Sequence, residues 1–193
     1  YTLSLHDALP ISAGTLCFPV IKKDAGTVYL PEEISDYCKM IYEELSIPVK
    51  ILNKGNVSER KKNSLIEIDR YNSVNLYTTI IVRESGDDLV DRIKEIMREE
   101  KEIGKEDLYT YHVILSVSSP EIFKDYEELR KMGFFFSGMQ PLCGEKEKIF
   151  MYYVGNLELY MNEYVLTDSF SRIRNHIEKF YDKRNDKTEG YGK

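Results

Sequence analysis

The spacing of apolar residues alternates between strand and helix periods along this chain, and the order of these segments constrains the fold. Short β-branched or alternating runs predict strands at 16–21, 49–52, 64–70, 74–83, 111–117, 134–139 and 148–153. Apolar residues at helical spacing predict helices at 31–45, 86–101 and 120–131. This order is typical of an α+β domain. Its sheet is expected to be mixed and mostly antiparallel, with helices flanking it and one helix in a crossover connection.

The ends of the chain are expected to differ from its middle. The first eleven residues, YTLSLHDALPI, resemble the translation of a sequencing adapter, so we expect 1–11 to be an artefact and the natural start to be unknown. We expect residues 12–181 to form one domain of ordinary size that ends with an extra C-terminal helix after Asp168. The charged, glycine-containing segment 182–193 predicts a disordered tail.

Composition excludes several classes of protein. The 193 residues include 33 acidic and 27 basic ones, and a net charge of −6 without a basic stripe argues against nucleic acid and anionic membranes. Cys17, Cys38 and Cys143 lie too far apart for a disulfide framework or a metal motif, which favours the reducing cytoplasm. His112 and His176 fall on different elements, so no metal site is predicted.

The strongest strand pattern, at 74–83, sets the expected core. We expect it to neighbour strand 111–117, joined to it through the helix at 86–101. Eight residues are expected to be buried together: Ile80, Val82, Ile93, Val113, Phe123, Leu129, Phe134 and Phe136. The basic cluster at 60–62 is interpreted as a solvated turn.

The order of segments from residue 14 to 153 resembles the GNAT fold of acetyl-CoA-dependent N-acetyltransferases. Residues 127–134, EELRKMGF, resemble the family's junction between a late helix and the next strand, usually written YEKLGF. The stretches YLPEEISDYCKMIYEELSI (29–47) and MGFFFSGMQP (132–141) are similar to the C-terminal GNAT-like module of multidomain bacterial proteins.

This resemblance implies an acetyl-CoA site at the end of strand 74–83. The family's loop, Q/R-x-x-G-x-G/A, binds the pyrophosphate through backbone N–H groups at a helix N-terminus. The cofactor-binding residues it implies here are Val82, Arg83, Ser85 and Gly86. Asp88 replaces the last glycine or alanine, and a carboxylate about 5 Å from a phosphate costs on the order of 1–3 kcal/mol. The alternative is that Asp87 or Asp88 caps the helix and that the turn binds nothing.

No catalytic residue is assigned from the sequence. Leu129 stands where the family carries a tyrosine acid, and Tyr126 on the same helix is expected to pack in the core. Glu67 and Asp69 lie where a general base could sit, but they alternate with isoleucines in the way a solvated strand face does.

Two functions therefore remain open, with a weaker third. The first is an acyl-CoA-dependent N-acyltransferase that uses acetyl-CoA, without a metal, on a small-molecule or protein amine. The alternative is a non-catalytic GNAT-like interaction or regulatory module whose partner is an upstream domain or a second copy in a homodimer. A third is an acidic cleft that binds a cationic small molecule.

Overall fold

A computed structural model describes residues 26–57, 59–70, 77–102, 110–141 and 147–155, together with residues 171, 174, 175 and 178–180. The expectations for segment 1–11, the strand at 16–21 and the tail at 182–193 fall outside these residues. The C-terminal helix is described only at the last six of these positions, which are helical.

The described ranges contain seven strands and three helices. These are β1 (Gly26–Tyr29), α1 (Glu32–Glu44), β2 (Val49–Leu52), β3 (Leu65–Arg70), β4 (Tyr77–Glu84), α2 (Leu89–Glu102), β5 (Thr110–Ser116), α3 (Ile122–Lys131), β6 (Phe135–Gln140) and β7 (Lys148–Tyr153). From α1 onward they follow the predicted order.

Strand β1 was not predicted. It has four residues, GTVY, in which only Val28 is fully buried, so it is too short to show a strand period. It pairs in parallel with β2 to form a small two-stranded sheet, with Gly26 opposite Val49 and Tyr29 opposite Leu52.

The main sheet has five strands in the order β3-β4-β5-β7-β6. Its β3–β4, β5–β7 and β6–β7 pairs are antiparallel, while β4 and β5 run parallel and are connected through α2. The expected α+β class, with a mostly antiparallel sheet flanked by helices, is confirmed, and so is the expected pairing of the strands at 74–83 and 111–117.

The core lies on the face of the sheet that carries Ile80 and Val113. Seven of the eight predicted core residues are buried, and the exception is Phe123. Phe123 is only partly buried because it lies in the first turn of α3, where its ring meets Tyr29 edge-on at 6.2 Å. Tyr111 on β5 donates a hydrogen bond to the carbonyl of Met97, which fixes α2 against this face.

Within the described ranges, no helix combines the length and the apolar character that crossing a bilayer requires.

Candidate functional site

The candidate site lies where β4 ends and α2 has not yet begun. Val82 is buried in the core, and Arg83 binds the Glu67 carboxylate on β3 through Nη2 at 2.6 Å and Nε at 2.9 Å. Only Ser85 and Gly86 of the four predicted cofactor residues face a common set of partners. The structure therefore separates the predicted quartet into a core residue, a surface ion pair and a loop.

The parallel pairing of β4 with β5 stops before either strand ends. The paired register runs from Tyr77 and Thr110 to Ile81 and Ile114. The last residues of β4 extend beyond it to Glu84, and β5 continues to Ser116. The loop at 85–88 follows β4, and helix α3 follows β5. Beyond the paired part of the strands, another segment of the chain bridges these two elements.

The bridge is the segment 59–64, the last part of the connection from β2 to β3, which we name the latch. Three consecutive backbone N–H groups after β4 donate hydrogen bonds to it. Gly86 donates to Ser64 Oγ at 2.9 Å, Asp87 to the Lys61 carbonyl at 2.9 Å and Asp88 to the Lys62 carbonyl at 3.3 Å. These are the N–H groups that the acetyltransferase resemblance assigns to a pyrophosphate.

Gly86 is a glycine because the latch passes directly over it. A Cβ atom at this position would lie 2.5 Å from the carbonyl carbon of Asn63 and 2.6 Å from the nitrogen of Ser64. Both are backbone atoms, which cannot rotate away as the end of a side chain can. Close approach of the chain to itself is thus sufficient reason for this glycine.

Arg60 fixes the latch from inside. Its side chain is 7% exposed, and Nη2 donates to Ser85 Oγ at 2.8 Å, to the Gly86 carbonyl at 2.7 Å and to Asp125 Oδ1 at 2.7 Å. Asp125 belongs to α3, so one guanidinium joins the loop after β4 to the helix after β5. Arg60 Nε lies 3.6 Å from Asp87 Oδ1, and neither Nε nor Nη1 has a hydrogen-bond partner although both are buried.

The carboxylates around the loop make it acidic. Burial raises the pKa of Asp125, and its hydrogen bonds from Ser85 and Arg60 oppose that rise. Asp88 Oδ1 accepts the backbone N–H of Ser64 at 2.6 Å, and hydrogen bonding from Ser64 lowers the pKa of Asp88. Asp87 lies on the surface, 3.6 Å from Lys124 Nζ.

Arg60 was interpreted from the sequence as part of a solvated basic turn, and this interpretation is wrong. Lys61 and Lys62 are exposed as expected, but Arg60 is buried against Asp125, 65 residues further along the chain. Nothing in the local pattern distinguishes the first cation of this cluster from the next two. The Arg60–Asp125 pair is the main feature of the site that the sequence does not reveal.

Two of the residues weighed for acid–base chemistry, Tyr126 and Glu67, have other partners. Tyr126 is buried and donates a hydrogen bond to Glu33 Oε2 at 3.0 Å, as its assignment to the core predicted. Leu129 is fully buried, and Glu67 is an exposed partner of Arg83. In the part of the chain that the structure describes, no group of three or more His, Cys, Asp or Glu side chains could hold a metal ion.

Comparison of the chain with protein-family models, curated proteins and solved structures finds no significant match. The likeness to acetyltransferases thus remains an expectation from the sequence.

Proposed function

We propose that this chain is a GNAT-like module that does not bind acetyl-CoA in its closed form and that serves a larger protein as an interaction or regulatory unit. One observation carries the proposal: the N–H groups of Gly86, Asp87 and Asp88 all donate to the latch. A pyrophosphate could reach them only after those hydrogen bonds were broken and Arg60 was displaced.

The charge of the loop supports the same conclusion. Asp88 lies at the N-terminus of α2, and Asp87 and Asp125 are close by around the Arg60 guanidinium. The helix dipole favours negative charge at this end of α2, and the acidic side chains already supply it. A phosphate would have to be placed among like charges, at a cost on the order of 1–3 kcal/mol for each carboxylate about 5 Å away.

An acyl-CoA-dependent N-acyltransferase is the second candidate, since β4 and β5 are parallel, are joined through α2 and stop pairing before they end. In this candidate Ser85 and Gly86 would bind acetyl-CoA once the latch had moved, and the acceptor would be a small-molecule or protein amine. Both candidates place the protein in the cytoplasm, without a metal, nucleic acid or membrane, and with an upstream domain or a second copy as partner.

Calorimetric titration with acetyl-CoA separates the two candidates. The wild-type chain and Asp88→Gly, which restores the family pattern and removes the Ser64 contact, are titrated side by side. We expect no binding of acetyl-CoA to the wild type at about millimolar ligand. This corresponds to a binding free energy weaker than about −4 kcal/mol. A dissociation constant near micromolar, about −8 kcal/mol, would overturn the proposal. If the double variant Asp88→Gly/Arg60→Ala, which also removes the Arg60 contacts to the loop, fails to bind as well, the acyltransferase candidate is excluded.

A further inference from the structure

We propose that the latch is releasable: residues 59–64 leave the loop at 85–88 as one unit, and Arg60 is the anchor that sets how often they do so. The closed form withholds the N–H groups at the start of α2, and the open form exposes them. This device is compatible with either candidate function, because it concerns two states of the same segment.

Polar contacts are the attachments that hold the latch in place. Its attachments are the three N–H bonds from residues 86–88, the Arg60 guanidinium, the Ser64 N–H to Asp88, and an exposed Lys61–Glu84 ion pair at 2.5 Å. Its residues are Glu, Arg, Lys, Lys, Asn and Ser, and none of them adds an apolar side chain to the core. Segments with few buried apolar contacts open locally at a small fraction of the global unfolding free energy.

The anchor is also imperfectly satisfied. Arg60 Nη2 serves three acceptors, whereas Nε and Nη1 are buried without a hydrogen-bond partner. A buried donor that lacks a partner loses its hydration without replacement, so the closed form carries a penalty that opening relieves. The unsatisfied guanidinium and the lack of apolar side chains in the latch favour a closed state that is populated but opens reversibly.

Opening would leave a changed surface behind. Gly86, Asp87 and Asp88 would present three adjacent N–H groups at the N-terminus of a 14-residue helix, and Asp125 would lose its buried cation. Because the three N–H groups donate to three different latch residues, they become free together only if the whole segment departs. Cooperative exposure is therefore the signature that distinguishes a latch from ordinary fraying.

Amide hydrogen exchange measures this exposure directly. In the wild-type chain we expect Gly86, Asp87 and Asp88 to show protection factors that agree within about threefold, since one opening event frees all three. Opening of the latch alone should leave Val113 and Leu115 on β5 protected by at least about tenfold more. Protection factors at 86–88 that differ from one another by more than about tenfold would overturn the proposal.

Arg60→Ala tests the anchor, and Lys62→Ala is the matched control, because Lys62 holds the loop through its backbone carbonyl, which the substitution keeps. We expect exchange at 86–88 to rise about tenfold or more in Arg60→Ala, with β5 unchanged, and to stay within about twofold of wild type in the control. An equal rise at β5, or no rise at 86–88, contradicts the proposal.

Ser64→Ala keeps the test decisive if Arg60→Ala does not fold. This variant removes the acceptor of the Gly86 N–H and the hydroxyl hydrogen bond from Ser64 to Asp88, and it keeps the Arg60 anchor. If the latch opens as one unit, weakening one attachment raises the exchange rate at all three positions by a similar factor, because the three share one opening equilibrium. Faster exchange at Gly86 alone would show independent contacts and would overturn the latch.

Discussion

Gly86 is the residue at which two explanations of this sequence diverge. In an acetyltransferase loop a glycine lets backbone N–H groups approach a pyrophosphate, whereas here the same glycine lets the backbone of Asn63 and Ser64 pass within 2.5–2.6 Å of an added Cβ position. Both explanations need the absence of a side chain. The sequence shows that the side chain is absent, but it does not show whether a ligand or the chain itself fills the space.

Replacing Gly86 by alanine is therefore expected to destabilise the chain without any ligand. The added methyl group forces the latch backbone outward, and we expect urea unfolding to show a loss of about 1–3 kcal/mol. Gly55→Ala is the comparison, because its new Cβ would meet Pro120 Cβ at 2.9 Å and the Tyr29 ring at 3.1 Å, which are longer contacts than those at Gly86. A smaller loss is expected there, and equal losses would argue against the backbone clash.

His112 gives the protein a predictable dependence on pH. It is 7% exposed, its ring stacks on Tyr152 at 4.5 Å, and its buried Nε2 has no hydrogen-bond partner. Burial lowers the pKa of His112 to about 4, from an ordinary 6.5. The unfolded chain therefore binds a proton between pH 6.5 and 4 that the folded chain does not, so the free energy of unfolding falls as the pH falls through this window.

We expect the contribution of His112 to decrease by about 2 kcal/mol between pH 7 and pH 4.5. The measurement is urea unfolding of wild type and His112→Phe at both pH values, since phenylalanine keeps the stacked ring and cannot titrate. The difference between the two proteins isolates this residue from all other titrating groups. Parallel pH profiles for the two proteins would show that His112 is not buried in its neutral form.

At the scale of elements, α1 and α3 are joined by a partly buried polar contact. Glu33 on α1 accepts the Tyr126 hydroxyl at 3.0 Å and lies 3.4 Å from Arg130 Nε, while Arg130 Nη1 donates to the Phe134 carbonyl at 3.1 Å. The Arg130 side chain is 1% exposed. Burial raises the pKa of Tyr126, and the neighbouring Glu33 charge raises it further. This contact fixes the helix that carries Asp125 and so positions the Arg60 anchor.

Tyr126→Phe removes the hydroxyl and leaves the ring. We expect a loss of about 1–3 kcal/mol in urea unfolding, because the hydrogen bond to a charged partner is lost and Glu33 keeps its desolvation. Lys131→Ala on the same helix is the control, since Lys131 is an exposed partner of Glu127 and Glu128 and such pairs contribute about 0–1 kcal/mol. Equal effects of the two substitutions would mean that Tyr126 does not link the helices.

Local periodicity predicts most of the elements of this chain, because each depends on residues close in sequence. The strand at 49–52 has the predicted ends, and α1 begins and ends within one residue of its prediction. Helix α3 begins at Ile122, two residues later than predicted, and Glu121 precedes it without a side-chain cap. The alternation from 64 to 83 predicts β3 and β4, but four-residue β1 gives no such signal.

At the scale of the whole molecule, the site depends on contacts that no local pattern contains. The parallel pairing of β4 and β5 follows from the crossover through α2, which the order of elements predicts. The closure of their ends by Arg60 depends on partners 25, 26 and 65 residues away. A buried guanidinium and a solvated lysine look alike in sequence, so the pattern predicts where a cofactor loop would lie and not that it is closed.

The most direct measurement of this closure is a pair of ¹H–¹⁵N spectra of the chain, without ligand and with about 1 mM acetyl-CoA, a concentration that detects dissociation constants up to about millimolar. The resonances that decide are the amides of Gly86, Asp87 and Asp88. We predict that they do not shift, because their N–H groups already donate to Ser64, Lys61 and Lys62. A saturable shift confined to these three amides would contradict the account, since it would place the cofactor on a loop that is open.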